Sequence, residues 1–463
     1  MVKKISTRRI EYPDRAWIAG LAGLLAVIIF GISAATMDAL HTGWHIFGNM
    51  VSKPGFHASL FVLGIIAIIM LLVELLNRIF IDKTNRRSFF SLAPELTDRK
   101  IIAFFIKCLS DYFFELFILT VFLFLYHFVS EYGFQNRSPY YAPWFVVFHK
   151  LYLMFLIMGL PYIFLTRALQ HDTKRDAKGY AHLPMTVVHR FFDIISNREP
   201  KRQLTEGNKI AMRGILVKAF FLPLMTVFFC DQFPHLVENC KFLRSRIADV
   251  LDGTISLDNA LTINDLYNVF FSLIFSIDVA LAWSGYLVSS RWLKNDMQSV
   301  EPTFFGWFVA LVCYPPFQKI TGVVFPVPGE KAFFAMPWET VVSIMAVLSL
   351  CSYFLYLSAT VVFGLRFSNL THRGIIQTGP YRFVRHPAYA AKNLSWWLVM
   401  FPYTLFSIFY EGQTGNFIFI FGLCLLSYIY YLRAVTEEKH LICDPIYRKY
   451  CENVRYRFIP GLF

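Results

Sequence analysis

The sequence predicts an all-α polytopic membrane protein with about ten transmembrane helices. Of its 463 residues, 56% are hydrophobic and only 16% are charged, which lies outside the usual composition of soluble globular chains. The hydrophobic residues are concentrated in runs of about 18 to 26 residues, long enough to cross the hydrocarbon core of a bilayer as helices. Because an α-helix satisfies its own backbone hydrogen bonds inside a membrane, we expect each run to be helical.

The predicted spans follow one another along the whole chain. They cover residues 17–36, 57–77, 102–129, 143–166, 214–233, 265–290, 303–323, 338–363, 388–410 and 416–435. The first run is too long for a signal-peptide core and has no small-residue cleavage site, so we expect it to be retained. In the seventh run, Pro315 and Pro316 must break or kink the helix, because proline lacks the backbone donor and clashes with the preceding turn.

The basic residues indicate the orientation of the chain. The 44 Lys and Arg against 31 Asp and Glu give a net charge of +13, which on a soluble domain would suggest a nucleic-acid partner. Here most of them fall in segments that would face one side of the membrane, as the positive-inside rule describes. We therefore predict that both termini are cytoplasmic and that no nucleic acid is bound. The longest such segment, Arg167–Arg213, is interpreted as a solvated loop or as a stretch lying along an anionic lipid surface.

Ionisable residues inside the predicted spans are candidates for function, because charge is costly in hydrocarbon. Lys107, Asp111 and Glu115 recur every four residues and share one face of the third run, where they can neutralise one another. Asp278 lies near the middle of the sixth run, in a position to meet Lys218 of the fifth. Structural pairing and a role in binding a substrate or a lipid head group both remain open for these residues.

The sequence gives little support for a metal ion or a disulfide. Asp38, His41 and His45 have a spacing compatible with a metal-binding helix face, but no further histidine motif accompanies them, so we predict no metal site. The eight cysteines form no CxxC pair, and the spacing of Cys230 and Cys240 allows a bridge without requiring one. The chain also lacks the phosphate-binding motifs of soluble nucleotide folds, so any cofactor must be held by membrane helices and their ends.

Two segments in the last quarter of the chain carry most of the candidate functional residues. The first, Gly374–Trp397, contains a Thr-Gly-Pro-Tyr turn followed by Arg-His-Pro at the start of the ninth run. Proline at a first helical position leaves its neighbours' N–H groups pointing outward, which favours a carboxylate or phosphate there. Arg385 and His386 would add donors to such a site.

The second segment, Arg433–Leu441, lies at the end of the tenth run. The ninth and tenth runs are joined by only Glu411–Gly415, so they form an antiparallel hairpin. The hairpin returns Arg433, Glu437 and Glu438 to the membrane surface where the Arg-His-Pro sequence lies. Basic donors and an acidic pair at one surface would suit a zwitterionic cofactor.

At these residues the chain resembles membrane-embedded methyltransferases, the superfamily of isoprenylcysteine carboxyl methyltransferase and phospholipid N-methyltransferases. The matching patterns are T-G-x-Y-x-x-x-R-H-P-x-Y at Thr378–Tyr389 and R-x-x-x-E-E-x-x-L at Arg433–Leu441. A tail pattern, Y-x-x-Y-x-x-x-V-x-x-x-x-x-P, follows at Tyr447–Pro460. The chain departs from the family upstream of the turn, where Arg373 stands at the position of a family histidine and His372 lies beside it.

The resemblance implies an S-adenosylmethionine-dependent methyltransferase that acts on a lipophilic acceptor, either an isoprenylcysteine-like carboxylate or a lipid head group. It implies a methyltransferase-like domain at 338–463 and leaves 1–337, with about seven spans, without an assigned role. The implied catalytic residues are Arg433 and Glu437, which would face the acceptor. The implied cofactor-binding residues are Ile375, Ile376, Tyr381, Arg385, His386, Pro387, Ala388, Tyr389 and Glu438.

Two other functions stay open. The same superfamily contains sterol reductases of similar length, span number and tail, so an NADPH-dependent reduction of a sterol-like double bond is the first alternative. Against it, this chain lacks the Gly-Asp that the reductases tend to carry after the tyrosine. The second alternative is a non-catalytic membrane scaffold or transporter, suggested by the long N-terminal region. In each case we expect an integral membrane protein with membrane lipids as partners, and for the enzymes a site on the cytoplasmic face.

Overall fold

The computed structural model describes residues 15–80, 101–133, 140–169, 204–290, 293–322 and 333–462, with single positions at 187, 193, 195 and 196. Within these residues the protein is mostly helical, as predicted, and its strands form two short antiparallel ribbons. Most of the basic segment Arg167–Arg213 lies outside the described residues.

The elements are numbered here in chain order. The helices are α1 Ala16–Thr36, α2 Ala39–Thr42, α3 Phe56–Phe80, α4 Ile101–Phe128, α5 Ala142–Leu169, α6 Glu206–Leu251, α7 Ile263–Leu287, α8 Phe304–Leu311, α9 Gln318–Gly322, α10 Glu339–Val361, α11 Pro387–Phe409, α12 Phe417–Leu441 and α13 Pro445–Asn453. The strands are β1 Trp44–Ile46, β2 Asn49–Ser52, β3 Ser299–Val300 and β4 Thr371–His372. β1 pairs with β2 and β3 with β4, so the second ribbon ties the chain before α8 to the chain after α10.

Eight of the described helices are long and apolar enough to cross a membrane. They are α1, α3, α4, α5, α6, α7, α10 and α12. α11 has the length, with 23 residues, but it includes polar residues such as Lys392 and Asn393 and is not among the eight. Together these helices coincide with every predicted run except the seventh.

α6 is much longer than the fifth predicted run. Its 46 residues extend roughly 69 Å, about twice the thickness of a hydrocarbon core. The segment after Pro234, which lies beyond the end of the fifth predicted run, therefore continues α6 as far as Leu251. This extension is fixed to its neighbours by polar contacts: Lys241 Nζ lies 2.7 Å from Asp38 Oδ1, and Asn239 donates to Ser272 Oγ at 2.8 Å.

The seventh run is not one span. The predicted break at the proline pair is confirmed, because α8 ends at Leu311 and α9 begins only at Gln318. Residues on either side of the run contact opposite ends of the bundle. At one end Glu301 Oε2 lies 3.9 Å from His440 Nδ1, and at the other Phe334 contacts Tyr267 with ring centroids 5.3 Å apart.

Helices from both predicted regions share one hydrophobic core. α7 packs between α6 and α10, and the core runs from Ala26 of α1 through Ile277 of α7 to Phe406 of α11. Ala16 and the end of α10 lie at the same end of the bundle as the segment Gly374–Trp397. The candidate site is therefore built against the N-terminal helix as well as the C-terminal ones.

The approach of α1 to α10 depends on glycine. A Cβ on Gly20 would lie 2.0 Å from the carbonyl oxygen of Val361, a contact that only a backbone shift relieves. We expect Gly20→Ala to destabilise the protein by about 3 kcal/mol, the upper range for overpacking, seen as a lower melting temperature in detergent. Gly64→Ala is the matched control, because a Cβ there meets nothing within 4 Å. Equal melting temperatures for the two variants would contradict this account of the packing.

The charged residues inside the helices find partners that the sequence did not indicate. Asp111 forms an ion pair with Arg167 at the end of α5. Asp278 accepts hydrogen bonds from Tyr356 and Thr360 of α10, both at 2.7 Å. The predicted meeting of Asp278 with Lys218 is wrong, because the Lys218 ammonium points to the carbonyl of Leu287 at 3.4 Å. Cys230 and Cys240 are both free, so the conceivable bridge is not formed.

Candidate functional site

The turn before α11 has the conformation that its Gly-Pro sequence predicts. Gly379 has a φ of +59° and begins a 3-10 turn that ends at Arg382. A Cβ at Gly379 would lie 2.8 Å from Val362 Cγ1, so glycine also permits close contact with the end of α10. From the other side, the Tyr450 hydroxyl of α13 donates to the Tyr381 carbonyl at 2.7 Å. The turn is thus fixed between α10 and the C-terminal tail.

α11 and α12 form the predicted antiparallel hairpin. Midway along it, the Trp397 indole donates to Ser427 Oγ at 2.9 Å, and Ser427 donates to Asn393 Oδ1 at 3.0 Å. At its end the Tyr389 hydroxyl donates to Glu437 Oε2 at 2.9 Å. The two segments singled out in the sequence therefore do meet.

Glu438 contacts two arginines and a histidine instead of facing a cavity. Its carboxylate lies 2.9 Å from Arg385 Nε, 3.2 Å from His386 Nε2 and 2.9 Å from Arg457 Nη2. The backbone N–H groups of Arg385 and His386 donate to carbonyls of the tail, those of Tyr456 and Arg457, at 2.9 Å each. The Arg-His pair predicted to bind an anion is therefore engaged in holding the tail against α11.

Arg433 is buried without a carboxylate partner. Its side chain is only 5% exposed, and its guanidinium lies over the rings of Tyr389 and Tyr430, 5.0 Å from each centroid, and 5.9 Å from that of Tyr314. Its hydrogen bond to Asn369 Oδ1 is long, 3.4 Å. Among the described residues no carboxylate lies within 4 Å of this guanidinium. Aromatic faces stabilise a cation but do not neutralise it.

Two adjoining cavities lie on either side of Arg433. The first, here called the tyrosine cavity, has a volume of about 100 Å³, and the second, the glutamate cavity, about 50 Å³. The wall between them is shared and consists of Ser368, Asn369, Tyr389, Arg433 and Glu437. Aromatic rings dominate the rest of the tyrosine cavity: Tyr314, Tyr356, Phe363, Phe367, Tyr381 and Tyr430. These volumes hold several water molecules, so a ligand of nucleotide size requires the shared wall to move.

Seven of the predicted site residues line the tyrosine cavity: Tyr381, Arg385, His386, Ala388, Tyr389, Arg433 and Glu437. Four do not. Ile375 and Ile376 lie upstream of the turn, with Ile376 buried, Pro387 is buried at the start of α11, and Glu438 holds the tail. Arg373, at the position of the family histidine, is also away from the cavity and donates to the carbonyls of Gly285 and Leu365.

The pKa values of two groups near the turn, Tyr381 and His372, are shifted by their surroundings. Burial, reinforced by the charge of Glu437, raises the pKa of Tyr381 well above its usual range, so its phenol remains a donor at neutral pH. Burial lowers the pKa of His372 and outweighs the opposing effect of Asp444, 3.4 Å away. His372 is therefore neutral at pH 7.

The sequence did not point to several residues of the cavity. Tyr314 comes from the broken seventh run, one residue before the proline pair, and Asn369 comes from the loop after α10. Tyr356 connects the cavity to the buried Asp278, and the Lys392 ammonium lies 5.5 Å from the Tyr356 ring centroid. The proline pair was the one available signal for Tyr314, since a broken span exposes helix ends and side chains to a cavity.

The arrangement combines an uncompensated buried cation, tyrosine hydroxyls and a half-exposed carboxylate on Glu437 at one end of a membrane bundle. Such a site can bind an anionic group at Arg433 and a cationic one at Glu437. Comparison of the chain with family models, with curated proteins and with solved structures found no match.

Proposed function

We propose that this protein is an integral membrane methyltransferase that transfers a methyl group from S-adenosylmethionine to a lipophilic carboxylate. The observation that carries the proposal is the buried charge of Arg433, which faces the tyrosine cavity and has no carboxylate within 4 Å among the described residues. Buried charges in proteins are normally paired, so the missing anion is expected from a ligand. A carboxylate acceptor, such as that of an isoprenylcysteine, supplies it.

The residues of the cavity are of the types that would hold S-adenosylmethionine. When bound, this molecule supplies an electrophilic methyl group on a sulfonium. Glu437 would accept hydrogen bonds from its ammonium group, and the rings of Tyr381 and Phe363, 5.2 Å apart, would face its cationic part. Methyl transfer demands alignment and desolvation more than acid–base chemistry, and the aromatic walls provide both.

An apolar groove offers the acceptor a path from the bilayer. This groove, here called the entry groove, has a volume of about 530 Å³ between α1 and α10. It is lined by Leu21, Phe354 and Val361 and ends at Gly379–Pro380, next to Tyr381 of the tyrosine cavity. A lipid chain in the entry groove would leave its carboxylate beside the turn and Arg433.

The proposal includes an orientation. The positive-inside pattern favours both termini on the cytoplasmic side, with the interrupted run 303–323 as the seventh crossing among ten. Ala16, the turn and α13 lie at one end of the bundle, which agrees with this arrangement. The site would then receive S-adenosylmethionine from the cytoplasm and the acceptor from the membrane.

A second candidate is the NADPH-dependent reduction of a lipophilic double bond, and one observation favours it. Tyr356 lines the tyrosine cavity, donates to Asp278 at 2.7 Å and has the Lys392 ammonium over its ring. A phenol that lies beside a carboxylate and an ammonium group can act as a general acid. In the reduction of a double bond it would protonate the carbon atom that does not receive the hydride. Methyl transfer has no need of such a proton source.

Binding of the two cofactors separates the candidates. We expect purified protein in detergent to bind S-adenosylmethionine in a calorimetric titration, with no heat from NADPH at the same concentrations. Glu437→Gln should weaken this binding by about tenfold or more, since a charge-assisted hydrogen bond is lost. Glu452→Gln, an exposed carboxylate of the tail, is the control. Binding of NADPH alone would favour the reductase, and binding of neither would favour the scaffold or transporter.

A further inference from the structure

A fourth cavity, with a distinct chemistry, lies at the opposite end of the bundle from Arg433. This cavity, here called the distal groove, has a volume of about 620 Å³ between α3, α5 and the end of β2. Its walls are mainly apolar and include Leu60, Leu63, Val147 and Leu151, with the buried Trp283 of α7 at its base. This groove is large enough for part of a lipid chain.

Three basic side chains line the same groove. They are Lys53 after β2, His57 in the first turn of α3 and Lys150 of α5. All three line one cavity, and the two lysines carry its positive charge. Within the part of the chain that the structure describes, no acidic residue lines the groove, and neither lysine forms an ion pair. Two ammonium groups at one groove, with an imidazole as a further hydrogen-bonding group, favour binding of an anion.

We infer that the distal groove binds an anionic phospholipid, with its phosphate at Lys53, His57 and Lys150 and an acyl chain along the apolar walls. The apolar volume argues for a lipid over a free anion, because inorganic phosphate would leave this surface exposed. The basic groups argue for an anionic head group over a zwitterionic one, which carries its own cation. The lipid would bridge α3 and α5, so binding is expected to stabilise the fold.

This site is independent of the proposed methyl transfer, because it shares no lining residue with either cavity at Arg433. The test is thermal unfolding of delipidated protein in detergent micelles containing dioleoyl phosphatidate, dioleoyl phosphatidylcholine, or inorganic phosphate alone. We expect the melting temperature to rise by about 3 °C or more with phosphatidate and to stay within about 1 °C of the lipid-free value in the other two arms.

The Lys53→Gln/Lys150→Gln double variant should lose most of the phosphatidate effect. Both side chains are exposed at the groove mouth, so its lipid-free melting temperature should match the wild type. The double variant Arg244→Gln/Arg246→Gln is the control, since it removes the same charge from the extension of α6. Native mass spectrometry provides a second readout, in which bound phosphatidate should fall at least about tenfold in the lysine variant. Equal stabilisation by phosphatidylcholine, full stabilisation by inorganic phosphate, or an unchanged response of the lysine variant would each overturn the inference.

Discussion

Replacing Arg433 with alanine is expected to reduce methyl transfer to a carboxylate acceptor by at least about a hundredfold. Its guanidinium lines the tyrosine cavity with no carboxylate within 4 Å among the described residues, and a charge-assisted bond to a buried carboxylate contributes about 3 kcal/mol. Because no ion pair among the described residues depends on Arg433, we expect the variant to remain folded. The rate of methyl transfer is measured for the variant and the wild type. The melting temperature of the same preparation shows whether the variant is folded.

Two variants make this prediction specific. Lys439→Ala removes an exposed cation six residues further along α12 and should retain wild-type activity. Arg433→Lys should recover only part of the activity, because an ammonium cannot form the planar paired contacts of a guanidinium with a carboxylate. Wild-type transfer by Arg433→Ala, or an equal loss in Lys439→Ala, would remove Arg433 from the site.

Glu438→Gln is expected to have the largest effect on stability among substitutions in the C-terminal region. The carboxylate is 12% exposed and holds Arg385, His386 and Arg457 together, so its neutralisation leaves the guanidinium groups of Arg385 and Arg457 without this counter-charge. Breaking such a cluster costs about 3 kcal/mol, which lowers the melting temperature by roughly 5 °C. Trypsin should also cleave the tail faster, because the contact between Arg457 and α12 is lost.

The control for Glu438 is the neighbouring carboxylate. Glu437→Gln removes the same charge, but Glu437 has only the Tyr389 hydroxyl at hydrogen-bonding distance and is half-exposed. The Glu437→Gln substitution should weaken binding of S-adenosylmethionine and leave the melting temperature nearly unchanged. If the two variants had the same melting temperature and the same protease resistance, the tail would not depend on Glu438.

The hairpin and its meeting with the Arg-His-Pro segment could be predicted from the sequence. A short link between two long apolar runs leaves little choice of geometry, and Tyr389 indeed contacts Glu437. The sequence could not show which of the adjacent residues Glu437 and Glu438 lines the cavity and which one holds the tail. Glu437 and Glu438 lie about 100° apart on a helix, so the rotation of α12 against its neighbours decides which one faces the cavity. That rotation depends on tertiary packing and is not visible in the spacing of residues.

The pairing of Asp278 was predicted wrongly for a related reason. Asp278 and Lys218 lie on neighbouring helices, but Lys218 is level with Leu287, nine residues further along α7. Nine residues span roughly 14 Å of helix, well beyond ion-pair distance. Hydropathy fixes the ends of a span only within a few residues and says little about the relative height of two helices.

The broken seventh run shows what hydropathy can and cannot indicate. The apolar composition of 303–323 predicted a span, and only the pair Pro315–Pro316 signalled the interruption. The effect of this interruption on the site could not be predicted, because it depends on where the chain between α8 and α9 packs. In the structure it places Tyr314 against Arg433.

The most direct test of the proposed function is transfer of a labelled methyl group. Purified protein in vesicles would be incubated with S-adenosylmethionine labelled in its methyl group and a farnesylated cysteine that carries a free carboxylate. We predict that label appears in the lipid extract as a methyl ester released by mild base, and that Arg433→Ala forms at least about a hundredfold less of it. Absence of label from the wild-type extract, under conditions in which the protein remains folded, would contradict the assignment of a carboxyl methyltransferase.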